Sequence, residues 1–189
     1  TTNAVYTNTL SDYAARGYVL VNQDATATEG TYDDADNVTQ FAKVYLDHGT
    51  VVVTPENPGD PGNPMYPGVP DTPTWPGGTD ESGVKRTING VINYQYADGS
   101  EAAPDATRTV TFERSITLDA VTGEQLSTTD WAVTAGDADW PETSSPVIDG
   151  YYADIEDILA VTITPDDFDR SYMVTYYPMG QYVPVFPEG

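Results

Sequence analysis

The sequence has no cysteine, which removes disulfide staples, thiolate nucleophiles and cysteine-based zinc or iron–sulfur sites. Secretion stays open, because an exported chain can fold without disulfides. Basic residues are scarce as well: seven Lys and Arg stand against thirty Asp and Glu, for a formal charge of −23. So few cations cannot neutralise a row of phosphates, which argues against nucleic acid as a partner. An anionic membrane surface is disfavoured for the same reason. No apolar run approaches the roughly 20 residues that span a bilayer, so no membrane insertion is expected. There is one histidine, His48, beside Gly49 at an expected strand end, where a turn or surface role outweighs catalysis. The first residue is Thr1 and no leader peptide precedes it, so the chain reads as a piece of something longer.

What is present is aromatic and β-prone. Of 189 residues, 39% are hydrophobic and 11% aromatic, with 14 tyrosines among them. This composition suits small β-rich cores better than a large helical one. The length allows one domain or two small ones. The negative charge reads chiefly as solubility and resistance to self-association, with divalent-cation sites as the functional alternative.

Proline is concentrated in one place. Eight of the 15 prolines occupy every third position from Pro55 to Pro76. Polyproline II has three residues per turn, so this register predicts an extended rod with prolines along one edge. Fully extended, it would reach about 65 Å at roughly 3.1 Å per residue. The glycines do not keep a collagen triplet, and no Lys or Arg flanks a PxxP as an SH3 ligand requires. The reading is a stiff linker over residues 55–84, its acidic flanks favouring extension.

Upstream, Leu10, Tyr13 and Ala14 fall on one helical face, Thr9 and Asp12 resemble a capping box, and Gly17 supplies a stop. "GYVLV" (17–21), "FAKVYL" (41–46) and "TVVVT" (50–54) read as strands. One helix with two or three strands is a poor core for residues 1–54, so part of this domain is expected to be missing at its front. Downstream, Ile88, Ile92, Tyr94 and Tyr96 alternate along one strand, and Val110, Phe112, Ile116 and Leu118 along a second. "DAVTGEQL" (119–126) reads as a turn, "TTDWAV" (128–133) as a third strand, and "LAVTITP" (159–165) with "SYMVTYY" (171–177) as a closing pair. A complete domain is expected over residues 85–178, with a Pro/Gly-punctuated tail at 179–189. "GYVLVNQD" echoes "GYYADIED", and "AKVYLDHGT" echoes "YMVTYYPMG", a weak internal repeat of two related domains.

Several of these segments, in order, resemble one known family. "YQYADGSEAAP", "VTFER", "DAVTG", "DW", "SPVIDGYYAD" and "VTY", within residues 85–178, are similar to the mucus-binding (MucBP, Mub) repeat of surface adhesins from lactic-acid bacteria. "SDYAARGYVLV", "YDDADNVTQ" and "VYLDHGT" resemble the companion domain of the long form of this repeat. That domain ordinarily opens with a hairpin before its helix, whereas this chain starts at about the helix. The resemblance implies an α+β, β-rich fold of two β-grasp (ubiquitin-like) domains in an elongated arrangement, belonging to a rod of tandem repeats with neighbouring repeats of the same chain. It implies a non-enzymatic adhesin on the cell wall of a Gram-positive bacterium that binds host mucin glycoproteins. Some members are credited with binding immunoglobulins. The alternative is a structural spacer that projects other modules.

For the chemistry, aromatics are the best material for glycan recognition, because sugar C–H faces pack on rings while carboxylates and amides take the hydroxyls. Trp140 stands in an expected loop between Asp139 and Glu142. Tyr151 and Tyr152 must point to opposite faces of an extended segment, leaving one of them exposed. Trp75 and Tyr66, in the linker, have no core of their own but are able to dock on a neighbouring domain. Each of these five is a ligand-contact candidate set against an ordinary packing role. Trp131 is assigned to the core. No cofactor is required. Asp33, Asp34 and Asp36 form the densest oxygen-donor cluster and are the Ca²⁺ candidate, with Asp166, Asp167 and Asp169 a second; neither has the spacing of an EF-hand. Carboxylate pairs are plentiful enough that inventory alone leaves a glycosidase open, although two small domains offer little room for a deep cleft. Mucin is acidic too, so binding is expected to be short-range, with added salt leaving affinity unchanged or raising it.

Overall fold

The computed structural model describes residues 5–7, 11–24, 29–31 and 42–180. Along the chain run β1 (Val5–Thr7), α1 (Ser11–Ala14), β2 (Tyr18–Gln23), β3 (Glu29–Thr31), β4 (Val44–His48) and β5 (Thr50–Val53). After the proline-rich stretch come α2 (Glu81–Val84), β6 (Lys85–Tyr96), β7 (Glu101–Glu113), β8 (Ile116–Asp119) and β9 (Gln125–Thr128). The remainder is β10 (Ala132–Gly136), β11 (Asp139–Trp140), β12 (Thr143–Ser144), β13 (Tyr151–Ala153), β14 (Asp157–Ile158), β15 (Val161–Thr162) and β16 (Arg170–Pro178). These elements form two compact units that are discontinuous in sequence: Thr1–Lys85 with Glu113–Asp130, and Arg86–Phe112 with Trp131–Gly189.

In the first unit, β2 and β4 pair antiparallel with a bulge between Leu20 and Asn22, and β1 pairs β3. Gly17, at φ +89°, ends the α1 turn as the sequence predicts, and its missing side chain admits the Ala120 carbonyl. The buried centre is built elsewhere. β5 pairs antiparallel with β8, which turns back into β9. Asp119 shapes that turn by accepting from the backbone N–H groups of Val121 and Thr122. Val53, Met65, Val84, Ile116 and Leu118 close the core, with Val51, Tyr66 and Trp75 packed against it. Residues 113–130 therefore share this compact unit with the start of the chain.

The proline-rich segment is the main departure from expectation: it is not an extended rod. Its backbone doubles back, with Gly59 N–H donating to Thr79 O, Gly62 to Trp75 O, Met65 to Pro73 O and Trp75 to Asn63 O. A proline every third residue still leaves two N–H groups per triplet, and these make the crosslinks. Polyproline II needs φ near −75° throughout; Gly62, Gly68 and Asp71 instead sit at +86°, +86° and +56° and reverse the chain. At the end of the segment, Asp80 caps α2 by accepting from Gly83 N–H. Hydrophobic burial of Met65 and Trp75 favours the folded-back form over a solvated rod.

The second unit is a five-stranded sheet in the order β10-β7-β6-β16-β13, with β6 and β16 parallel over Gly90–Tyr96 and Arg170–Tyr176. Asp98, Gly99 and Ser100 make the tight turn between β6 and β7, the glycine at φ +85° and the Asp98 carboxylate accepting from Ser100 N–H and Oγ. Two clusters fill this unit. Ile88, Val110, Phe112, Trp140 and Ile163 form one; Ile92, Tyr94, Val174 and Tyr176 form the other. The alternation Val110–Phe112–Ile116–Leu118 is buried as predicted, but as two strands in two cores rather than one strand in one. The break falls at Arg114, whose N–H and Nε donate to Val84 O and Gly83 O. "TTDWAV" is likewise divided, between the end of β9 and the start of β10.

Candidate functional site

One exposed pair of aromatic rings in the second unit lies where the edge strand β13 meets β16; Phe168, 86% exposed, stands apart from it in the loop before β16. β13 is short, follows the Gly150 turn at φ +80°, and pairs antiparallel with the end of β16. Successive side chains on a strand alternate between faces, and Tyr151 and Tyr152 do so. Tyr151 goes inward, its ring 4.8 Å from that of Tyr96. Tyr152 stays 53% exposed and meets Tyr177, its cross-strand partner, in a stacked pair with centroids 5.7 Å apart and planes 28° apart. The register Tyr152↔Tyr177 puts both rings on one face, where neighbouring pairs interact most strongly.

Beside Tyr152 runs an open groove of about 350 Å³, within the size range of small-ligand sites. Val147 and Met179, 96% and 58% exposed, add apolar surface to it, and Glu156 and Asp157 add carboxylates. Its walls are fixed from behind. Tyr176 Oη donates to Pro146 O at 2.6 Å, and Ser145 Oγ to Ile155 O at 2.7 Å. Ser144 Oγ donates to Asp157 at 2.6 Å, next to the β12–β14 pairing. Burial, with Tyr94 and Tyr96 alongside, raises the Tyr176 phenol above its ordinary pKa, so it remains a neutral donor. Chemically, the surface offers two ring faces, apolar flanks and oxygen acceptors.

The other candidates fall differently. Trp140 is not in a loop: it lies on β11, is 6% exposed, and donates from Nε1 to Asp137 O at 3.0 Å. Its ring covers Gly90, where a Cβ would come within 2.5 Å of it, so Trp140 fills a core. Trp75 and Tyr66 do find a core, that of the first unit. Tyr66 Oη donates to Ala120 O at 2.8 Å, and desolvation followed by the Asp119 charge raises its pKa. The strands therefore bring together only Tyr151 and Tyr152 of the five, and on opposite faces. Asp33, Asp34 and Asp36 lie outside the described residues. Asp167 is committed to Thr164 and Arg170, and Asp169 to Asn89 N–H. Among the described residues no cluster of three His, Asp or Glu has metal-site geometry.

Sequence reasoning missed Tyr177, Val147 and Met179. The tyrosine pair at 176–177 in a strand signals that one ring faces out, but its meeting with Tyr152 depends on cross-strand register. His48 bonds Asp119 at 2.7 Å through Nδ1 and packs edge-on against Tyr18. That hydrogen bond, with those from Thr122 and Val121 N–H, holds the Asp119 carboxyl down at about 2. The other carboxyls with clear shifts, Glu56, Asp98 and Asp167, are also held low by hydrogen bonds.

The family described as Muc B2-like domain matches residues 79–180, and the mucin binding domain family matches residues 1–48. No curated protein sequence matches the chain. Among solved structures, the crystal structure of Mub-RV is similar over 95% of this chain and 87% of that one, at 23% identity and a TM-score of 0.55. The type 2 repeat of the mucus binding protein MUB from Lactobacillus reuteri aligns over the same shares, at 22% identity and a TM-score of 0.46. The mucin-binding domain of Spr1345 from Streptococcus pneumoniae covers 51% of this chain with 94% of its own length, at 26% identity and a TM-score of 0.46. The likeness to Mub-RV supports the β-rich fold. These relatives are adhesin-type binding domains rather than enzymes, and no helix among the described residues is long and apolar enough to cross a membrane. The chain belongs to the Muc B2-like domain family and is a mucus-binding repeat of the kind found in extracellular surface adhesins.

Proposed function

We propose that this chain is a non-enzymatic adhesin repeat of a Gram-positive cell-wall protein, made of two β-grasp-like domains, that binds mucin glycans at the Tyr152–Tyr177 pair and the groove beside Tyr152. The observation that carries the reading is the stacked, solvent-facing tyrosine pair beside a groove with oxygen acceptors. Core packing does not require either ring to be exposed, and exposed aromatic faces are what sugar C–H groups pack on. Immunoglobulin is a second partner class that the same surface would take, through the apolar Val147 and Met179 flanks. Neighbouring repeats of the same chain would multiply weak single-site affinity by raising effective concentration.

Binding of the 189-residue chain to immobilised mucin tests this, with Tyr152→Ala and Tyr177→Ala in parallel. Saturable binding that the tyrosine variants lose supports the adhesin. Absence of binding at high protein concentration points to a spacer repeat instead. The same preparation presented with immunoglobulin separates protein recognition from glycan recognition.

A further inference from the structure

We infer that the groove beside Tyr152 takes uncharged sugar termini, of the hexose or N-acetylhexosamine kind, and disfavours sialylated or sulfated ones; this rests on the glycan-binding reading above. Size sets the scale first. A groove of about 350 Å³ admits one or two sugar rings and no long stretch of chain. Tyr152, held by its stacking on Tyr177, offers the groove an exposed ring for the apolar face of a pyranose, and Glu156 and Asp157 line the same groove as acceptors for ring hydroxyls. A carboxylate accepts from a sugar hydroxyl in a charge-assisted hydrogen bond, and it repels a second carboxylate.

The cations decide the rest. The second unit contains three basic residues, Arg86, Arg108 and Arg170, and none of them lines the groove. Arg108 donates to Pro141 O at 2.9 Å and to Thr143 Oγ1. Arg170 is paired with Asp167 at 2.8 Å, and Arg86 lies over the Trp131 ring at 6.0 Å. A sialate or sulfate in the groove would find Glu156 and Asp157 and no guanidinium or ammonium group to answer it. The pocket beside Arg108 is no substitute. Lined by Trp140, Ile158 and Tyr172, it has room for about 20 Å³, a water rather than a sugar. Charge complementarity therefore selects a neutral ligand.

The test is an NMR titration of the 189-residue chain with N-acetyllactosamine and with its α-sialylated form. The neutral sugar is expected to shift resonances of Tyr152, Ala153 and Glu156, and to bind about tenfold more tightly than the sialylated one at low salt. Raising salt from about 20 to 500 mM should leave the neutral affinity flat and narrow the gap. Glu156→Gln should narrow it too, while Tyr152→Ala abolishes the neutral response and Tyr177→Ala, which removes the stacking partner of Tyr152, weakens it. Sialylated sugar binding equally well or better would overturn the inference and leave the glycan-binding reading standing. Shifts confined to another surface would overturn the assignment of the groove. If neither sugar binds at millimolar concentration, the inference and the reading it rests on both fall.

Discussion

Two regions of this molecule carry aromatic rings beside prolines and turns, and they use them in opposite ways. In the proline-rich stretch, Tyr66 and Trp75 are packed against the core cluster of Val53, Met65, Val84, Ile116 and Leu118. At the β13–β16 edge, Tyr152 and Tyr177 stack on each other and face solvent. Local sequence does not distinguish Tyr66 and Trp75 from Tyr152: all three lie in short, turn-rich stretches. What separates them is the supply of apolar partners. The first region has an open core to complete, whereas behind Tyr152 the interior is already filled by Tyr151, Tyr96 and Tyr176. An aromatic that the core does not need stays at the surface.

Substitutions should sort the two groups by stability, beginning with the deepest. Trp140→Ala empties the Ile88–Val110–Phe112–Ile163 cluster, and a loss of about 3–5 kcal/mol is expected in denaturant unfolding. Trp75→Ala, partly buried, should cost about 2–4 kcal/mol in the same measurement. Were Trp75 a linker ring as the proline register implies, the change would be near zero. Tyr66→Phe keeps the ring and removes the hydrogen bond to Ala120 O, for about 1 kcal/mol. Acid is a further probe of the first unit. The stability Asp119 lends is fully present above the ordinary carboxylate value of 3.8 and is lost as pH falls through about 2. His48→Ala removes the largest cause of that depression, so the acid-unfolding midpoint should move to higher pH. Tyr152→Ala and Tyr177→Ala should change stability least, within about 0.5 kcal/mol, while binding to mucin is lost. A large stability loss in either would move these tyrosines into the structural group and dissolve the contrast.

Much was legible at the level of single strands. The faces of Ile88, Ile92 and Tyr94 and of Val110 and Phe112 are buried as their period of two requires. The Gly17 stop, the Asp98–Gly99 turn and the opposed pair Tyr151 and Tyr152 follow from local chemistry as well. Long-range pairing was not legible. The run from Val110 to Leu118 keeps one phase of alternation with Arg114 on its apolar face, but nothing local says that Arg114 reaches back to Gly83 and Val84 and divides it. Trp140 reads as a loop residue because its neighbours Asp137, Asp139, Pro141 and Glu142 are polar or turn-forming. It is buried because Gly90, fifty residues away, leaves space for an indole.

The proline register carries the same lesson. A period of three fixes φ at each proline and removes its N–H, and that much is determined by sequence alone. Whether the chain then runs straight depends on the residues between the prolines. Gly62, Gly68 and Asp71 adopt positive φ, and Gly59, Gly62, Met65 and Trp75 donate across the fold-back. By itself the sequence determined the β-rich composition, the alternating faces, the turns, the acidic surface and the family. Tertiary structure decided which aromatics became core and which stayed exposed, because burial depends on which apolar partners distant segments bring. Register and partner choice are non-local quantities that no local pattern encodes.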